Sequence, residues 1–221
     1  MNKQIVYYTC NTHRKEIEQA CRQQLLKAGL PIISVSLNKV IDFGDTRLTL
    51  SANRSPETMH SQILYGLRDT FADAIFLCES DVLYHPSHFD FIPPRDDTFY
   101  FNTNVYKCWP DGLTVWTDDL QQLSGMCASR NLMFIFFEHR LEQIEREGFN
   151  RHYEPGPRYG CKTENWMSEY PNLDIRHRNT LTKSHRSVEE FRNPKFARGF
   201  KVLENVPYWN HMKPILEEVS S

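Results

Sequence analysis

Three short apolar runs that alternate with stretches of helical period constrain this fold more than any other feature of the sequence. "QIVYYTC" is β-branched and aromatic, and "THRKEIEQACRQQLLKAG" then places Ile17, Cys21, Leu25 and Ala28 at helical spacing before Gly29 closes the segment. "PIISVSL" supplies a second strand, followed by "NKVIDFGDTRLTLSANRS", which is polar and irregular enough to be a loop over a site. Ser55-Pro56-Glu57 joins a hydroxyl cap, a first-turn proline and an acid at the positive end of the dipole, and Met59, Ile63, Leu64, Leu67 and Phe71 make the stripe of the helix it opens. The third strand is "ADAIFLCESD". Alternation of this kind predicts an α/β fold, a single Rossmann-like domain whose mostly parallel central sheet is flanked by helices.

Later strands are expected at "TFYFNTNVYKC" and "GLTVWT", and "SRNLMFIFFEHRLEQIEREG" reads as a long helix. Beyond Asn150 the chain is punctuated by proline and irregular, and residues 151–201 hold eleven Lys and Arg against six Asp and Glu. A length of 221 residues suits one domain, 1–221. Within it an N-terminal half, 1–105, is distinguished from a C-terminal half, 106–221.

The net charge of −2 gives no global attraction to nucleic acid or anionic membrane. Six cysteines without a CxxC pair argue against a zinc ribbon or a disulfide framework, so reduced thiols are expected. No apolar run approaches the roughly 20 residues that span a bilayer, and the first residues lead straight into a strand. A soluble, cytoplasmic protein without an integral membrane segment is the expectation.

The strand "FLC" ends on "ESD". In extended chain Glu79 and Asp81 point to one side and Ser80 to the other, so both acids can face one ion or one ribose. Paired carboxylates at the carboxyl end of a parallel strand suit a hard divalent cation, Mn²⁺ or Mg²⁺, that keeps positions open for phosphate oxygens. A solvated strand end capped by acids is the competing explanation.

The order of elements and motifs resembles a GT-A type glycosyltransferase of the family 2 kind over nearly the whole chain, in pattern rather than identity. The resemblance implies transfer of a sugar from a nucleotide diphosphate sugar, a UDP-sugar first among donors, to a hydroxyl acceptor. In such enzymes the first strand and its loop hold the nucleotide, which maps to Thr9, Asn11 and Arg14 of "YYTCNTHR". "ESD" stands where the family has its DxD metal motif, with Glu in the first position: Asp81 becomes the metal ligand, and Glu79 and Ser80 donor contacts. Gln62, on the inner turn of its helix, is a further candidate for the nucleotide sugar. Gly125 in "LSGMCAS" corresponds to the close-approach residue of the acceptor floor.

"KTENWMSEY" offers Glu164 as general base at a helix start, followed by Asn165 where the family often has Asp, and "NLDIRHRN" offers His177 to the metal. Arg158, Arg176, Arg178, Lys183 and Arg186 are candidates to close over the diphosphate or to meet the acceptor. A base opposite the leaving group implies inversion at the anomeric carbon. The basic segment also suits a polyanionic acceptor, and hydroxymethylated pyrimidines in viral DNA are one candidate. Two rivals stay open: a non-catalytic nucleotide or nucleic-acid-binding module on the same fold, and a sugar nucleotidyltransferase.

Overall fold

The computed structural model describes residues 1–109, 114–117, 119–150, 154–176, 200–203 and 206–209. The chain begins β1 (Lys3–Thr9), α1 (Lys15–Leu26), β2 (Ile32–Leu37), β3 (Thr46–Leu50), α2 (Pro56–Arg68) and β4 (Ala74–Glu79). A two-residue strand β5 (Val82–Leu83) follows, then a 3-10 turn at Pro86–Asp90, β6 (Thr98–Asn102), β7 (Val105–Cys108), β8 (Thr114–Thr117) and β9 (Met126–Ser129). The long helix α3 (Arg130–Glu147) precedes β10 (Lys162–Trp166), β11 (Asn172–Ile175) and β12 (Phe200–Leu203).

Seven strands form a large sheet in the order β10-β6-β9-β4-β1-β2-β3, in which β9 alone runs against the others. A second sheet of five has the order β12-β8-β7-β11-β5. The large sheet draws strands from both sides of residue 105, and the chain passes back and forth between the two sheets.

Helices cover the large sheet on both faces. On one, α2 and α3 send Ile63, Leu64, Leu67, Met133, Phe136 and Phe137 onto Val6, Ile75, Leu77 and Phe101. Ser55 caps α2 as the sequence predicts, its hydroxyl accepting from the Thr58 N–H at 3.0 Å, a contact worth about 1 kcal/mol. At Gly66 an added Cβ would stand 2.7 Å from Val6 Cγ1, so this glycine sets how closely α2 lies on β1. On the other face Leu25 of α1 packs with Tyr7, Ile32, Phe76 and Tyr84. The next turns of α1 place Ile17 and Cys21 against Leu83, Cys108, Leu173 and Ile175 of the small sheet. One amphipathic helix is therefore shared by the two sheets.

Two predicted features differ. The supposed loop "NKVIDFGDTRLTLSANRS" contains β3, an edge strand whose half-buried polar alternation hides its pairing with β2. Phe71 is 93% exposed because α2 ends at Arg68 and leaves it in the following turn.

His88 fastens the two sheets together. Its Nδ1 accepts from the side-chain amides of Asn102 at 2.9 Å and Asn172 at 3.1 Å. Neither amide can be turned over: Asn102 Oδ1 accepts the backbone N–H groups of Asn104 and Ser168, and Asn172 Oδ1 accepts that of His85. The proton of neutral His88 therefore sits on Nε2. The ring is wholly buried beside Phe76, Phe89 and Trp166, and that desolvation pushes its pKa down to about 3.

Candidate active site

β1 stands where the sheet order reverses. The connection through α1 crosses one face to β2 and the connection through α2 crosses the other to β4, which opens a crevice at the carboxyl ends of β1 and β4. Tyr8 and Glu79 are register partners there. The Tyr8 hydroxyl donates to Glu79 Oε1 at 2.8 Å, while the Glu79 N–H donates to the Tyr84 hydroxyl, which in turn donates to the Ser124 carbonyl, both at 2.9 Å. Gly125 beside it is a close-approach residue as expected: an added Cβ would meet the Asn102 carbonyl oxygen at 2.9 Å.

Glu79 ends β4 half-buried, Ser80 is buried, and Asp81 is 8% exposed. Enclosure of the Glu79 carboxyl, followed by the like charges of Asp81 and Asp174, raises its pKa to about 8 against the lowering effects of Tyr8 and Arg176. The pair thus carries a proton near neutrality that a cation would displace. Among the described residues no group of three or more His, Cys, Asp or Glu is placed to hold a metal ion, and Ser80 and Asp81 form a turn after β4 rather than the extended chain that would set both acids on one side. A hard divalent ion here would need further ligands from phosphate oxygens and water.

The turn after β1 is built on backbone contacts. Asn11 adopts a left-handed φ of 57°, its Nδ2 donates to the carbonyls of Leu37 (2.8 Å) and Lys39 (3.2 Å), and its N–H donates to Thr9 Oγ1 (3.1 Å). Its buried Oδ1 has no hydrogen-bond partner among the described residues. Arg14 precedes α1 on the surface, 3.9 Å from Glu16. In the same turn Cys10 Sγ lies 3.0 Å from Thr12 Oγ1 and 4.0 Å from His13 Nε2. Burial alone would raise the Cys10 thiol, but the contacts with His13 and Thr12 and the charge of Arg54 bring it down to about 7.

Gln62 does point inward, as its place on α2 implies, but to backbone. Its Nε2 donates to the carbonyls of Thr9 and Val35, each at 2.9 Å, so both amide hydrogens are spent tying β1 to β2. Glu164 lies within β10 rather than at a helix start, exposed and ion-paired with Arg95. The ladder Glu164–Tyr100–Cys127–Phe76 places it three residues short of Glu79 and three strands away, about 14 Å across at ~4.8 Å per strand. Arg158 is exposed in a 3-10 turn at Pro157–Tyr159. His177, Arg178, Lys183 and Arg186 lie outside the described residues, and the expected DNA-binding segment lies largely with them.

Arg176 is brought to the site. Its guanidinium Nη1 meets both Asp174 oxygens, at 3.3 and 3.2 Å, and both it and Asp174 act electrostatically on Glu79. Asp174 and Lys107 are in register on β11 and β7, and neither was singled out in the sequence. Period-2 alternation marks Lys107 and Asp174 as outward from their apolar neighbours, but nothing in the sequence pairs two four-residue strands so far apart.

No family model matches the sequence, and no curated protein matches it. Among solved structures the chain is similar to a glycosyltransferase involved in the glycosylation of the major capsid of PBCV-1: 8% identity, TM-score 0.47, over 76% of this chain and 82% of that one. It is also similar to the inositol-1-phosphate CTP transferase of T. maritima, at 10% identity and TM-score 0.45 over 79% and 89% of the two chains. A third likeness is to glucosyl-3-phosphoglycerate synthase from Mycobacterium tuberculosis in complex with Mn²⁺, UDP and phosphoglyceric acid, at 13% identity and TM-score 0.41 over 81% and 71%.

Proposed function

We propose that this protein is a glycosyltransferase that binds a nucleotide diphosphate sugar across the carboxyl ends of β1 and β4 and passes the sugar to a hydroxyl acceptor. The observation that carries the reading is the Glu79–Asp81 pair at the reversal of strand order, with Glu79 made difficult to ionise by its surroundings. An isolated acid cap on a strand end would be solvated; here Tyr8 holds Glu79 and Asp81 is buried.

In this reading the β1–α1 turn receives the nucleotide. Asn11 shapes that turn through its left-handed backbone and its Nδ2 contacts to the carbonyls of Leu37 and Lys39. Glu79, positioned by Tyr8, faces the ribose side, and Asp81 is the ligand for a divalent ion. Such an ion, when bound, offsets the negative charge that develops on the departing diphosphate. Arg176, held in place by Asp174, adds a fixed cation on the side of the small sheet. In the transfer the bond between the anomeric carbon and the diphosphate oxygen breaks with its electron pair going to the departing diphosphate, a bond to the acceptor oxygen forms, and the proton of the acceptor hydroxyl passes to solvent water.

A thermal-shift panel of UDP, GDP, CDP and TDP sugars, each with and without Mn²⁺, tests the reading, because a ligand of the folded state raises apparent stability by mass action. A shift that needs one nucleotide together with metal, and is lost in Asp81→Ala, is expected. No nucleotide-dependent shift with any member of the panel would remove the donor assignment. Binding without transfer or hydrolysis of the sugar would instead favour the non-catalytic module.

A further inference from the structure

Among the described residues, none answers the charge of Lys107. It lies on β7 between Tyr106 and Cys108, both packed in the cluster with α1, so alternation turns Lys107 to the opposite face, level with Asp174. Asp174 would be its natural partner, yet both carboxylate oxygens of Asp174 are occupied by Arg176. Among the described residues Lys107 makes no ion pair and no hydrogen bond. It is nevertheless half-buried, and that desolvation lowers its pKa, with Asp174, Arg176, Glu154 and Glu79 as the charged groups acting on it. A desolvated ammonium without a partner is costly, and a structural role in this strand would be met better by methionine.

We propose that the Lys107 ammonium is an anion-binding group of the strand-end site and takes a phosphoryl oxygen of the bound ligand. In the small sheet Asp174 stands between Lys107 and Val82, the residue after Asp81, and Arg176 is paired with that Asp174, so a phosphate held there would meet two protein cations beside the Glu79–Asp81 pair. The inference rests on the donor reading only for the carrier of that phosphate: the diphosphate of the nucleotide or a phosphomonoester on the acceptor.

The test uses the whole chain and acetylation by an N-hydroxysuccinimide ester, with each lysine followed by peptide mass spectrometry. Labelling is compared without anion and with UDP, inorganic pyrophosphate or inorganic phosphate, with and without Mn²⁺. The expected result is slowed labelling of Lys107 by at least one of these anions, while exposed Lys15 and Lys162 are unaffected. In parallel, Lys107→Met is expected to weaken binding of the protecting anion about 10- to 100-fold, as loss of one charge-assisted hydrogen bond does, with Lys107→Arg largely restoring it.

Protection by UDP and pyrophosphate alone assigns the donor diphosphate; protection by orthophosphate alone assigns an acceptor phosphate. Unchanged labelling with all three anions overturns the proposal even if Lys107→Met does not fold. UDP binding that persists alongside unprotected Lys107 sinks this inference and leaves the donor reading standing. Protection by phosphate or pyrophosphate when no nucleoside diphosphate binds does the reverse.

Discussion

His88 makes the stability of this protein depend on pH in a calculable way. The folded imidazole takes a proton only near pH 3, because its Nδ1 is occupied by two amide donors and its ring is enclosed, whereas an unfolded histidine titrates near 6.5. Below that value the unfolded chain binds a proton that the folded chain refuses. The His88 contribution is therefore complete above about pH 6.5 and falls toward pH 3, by about 1.4 kcal/mol per unit once well below 6.5. Integrated from pH 7.5 to pH 5, the loss is about 2 kcal/mol, or roughly 4–8 °C in Tm for a chain of this length. The perturbation is His88→Gln, which retains an acceptor for Asn102 and Asn172 but cannot ionise. Urea titrations of both proteins between pH 7.5 and 5 separate the effect from every other titrating group, since those cancel in the difference. The variant is expected to start less stable and to lose about 2 kcal/mol less over the interval. Parallel curves would refute the reasoning, and would mean that His88 protonates without breaking the contact between the sheets.

Glu79 acts with the opposite sign. A carboxyl that keeps its proton to about pH 8 when folded loses stability as pH rises through that value, so the metal-free protein should weaken between pH 6.5 and 8.5 and Asp81→Asn should flatten the decline, as urea midpoints would record. Cys10 should be the first of the six thiols alkylated by iodoacetamide at pH 7, because burial holds Cys21, Cys78, Cys108 and Cys127 protonated; peptide mapping with equal rates at Cys10 and Cys161 would contradict this. Gly125→Ala should cost about 1–3 kcal/mol in urea unfolding, since the new Cβ meets the Asn102 backbone rather than a flexible side chain.

Apart from β3, the first eighty residues were legible because each element there carries one period: continuous apolar runs for β1, β2 and β4, helical spacing for α1 and α2. Glu79 and Asp81 were singled out for the same reason, as charge at the end of an apolar strand. What escaped was structure defined by pairing. β10 has exposed polar residues at Lys162, Glu164 and Asn165, and is a strand because β6 lies beside it; by itself "TENW" resembles a helix start. Lys107 and Asp174 meet through the β7–β11 register, a contact between segments more than sixty residues apart. Gln62 shows a subtler gap, since its inward direction follows from helical period but its partners, two carbonyls at strand ends, depend on how the β1 and β2 termini are aligned.

The acidic pair sits on a joint. Glu79 is the last residue of a strand in the large sheet, and Asp81 immediately precedes Val82 of β5 in the small one, with Ser80 as the only residue between them. The Asp81 backbone carbonyl accepts the Ile175 N–H at 2.9 Å, which ties that main chain to the small sheet. The distance between the two acids is thereby a gauge of how the sheets are set against each other, so a cation that bridged them would clamp two bodies, and a shift of the small sheet would be felt as a change in cation affinity.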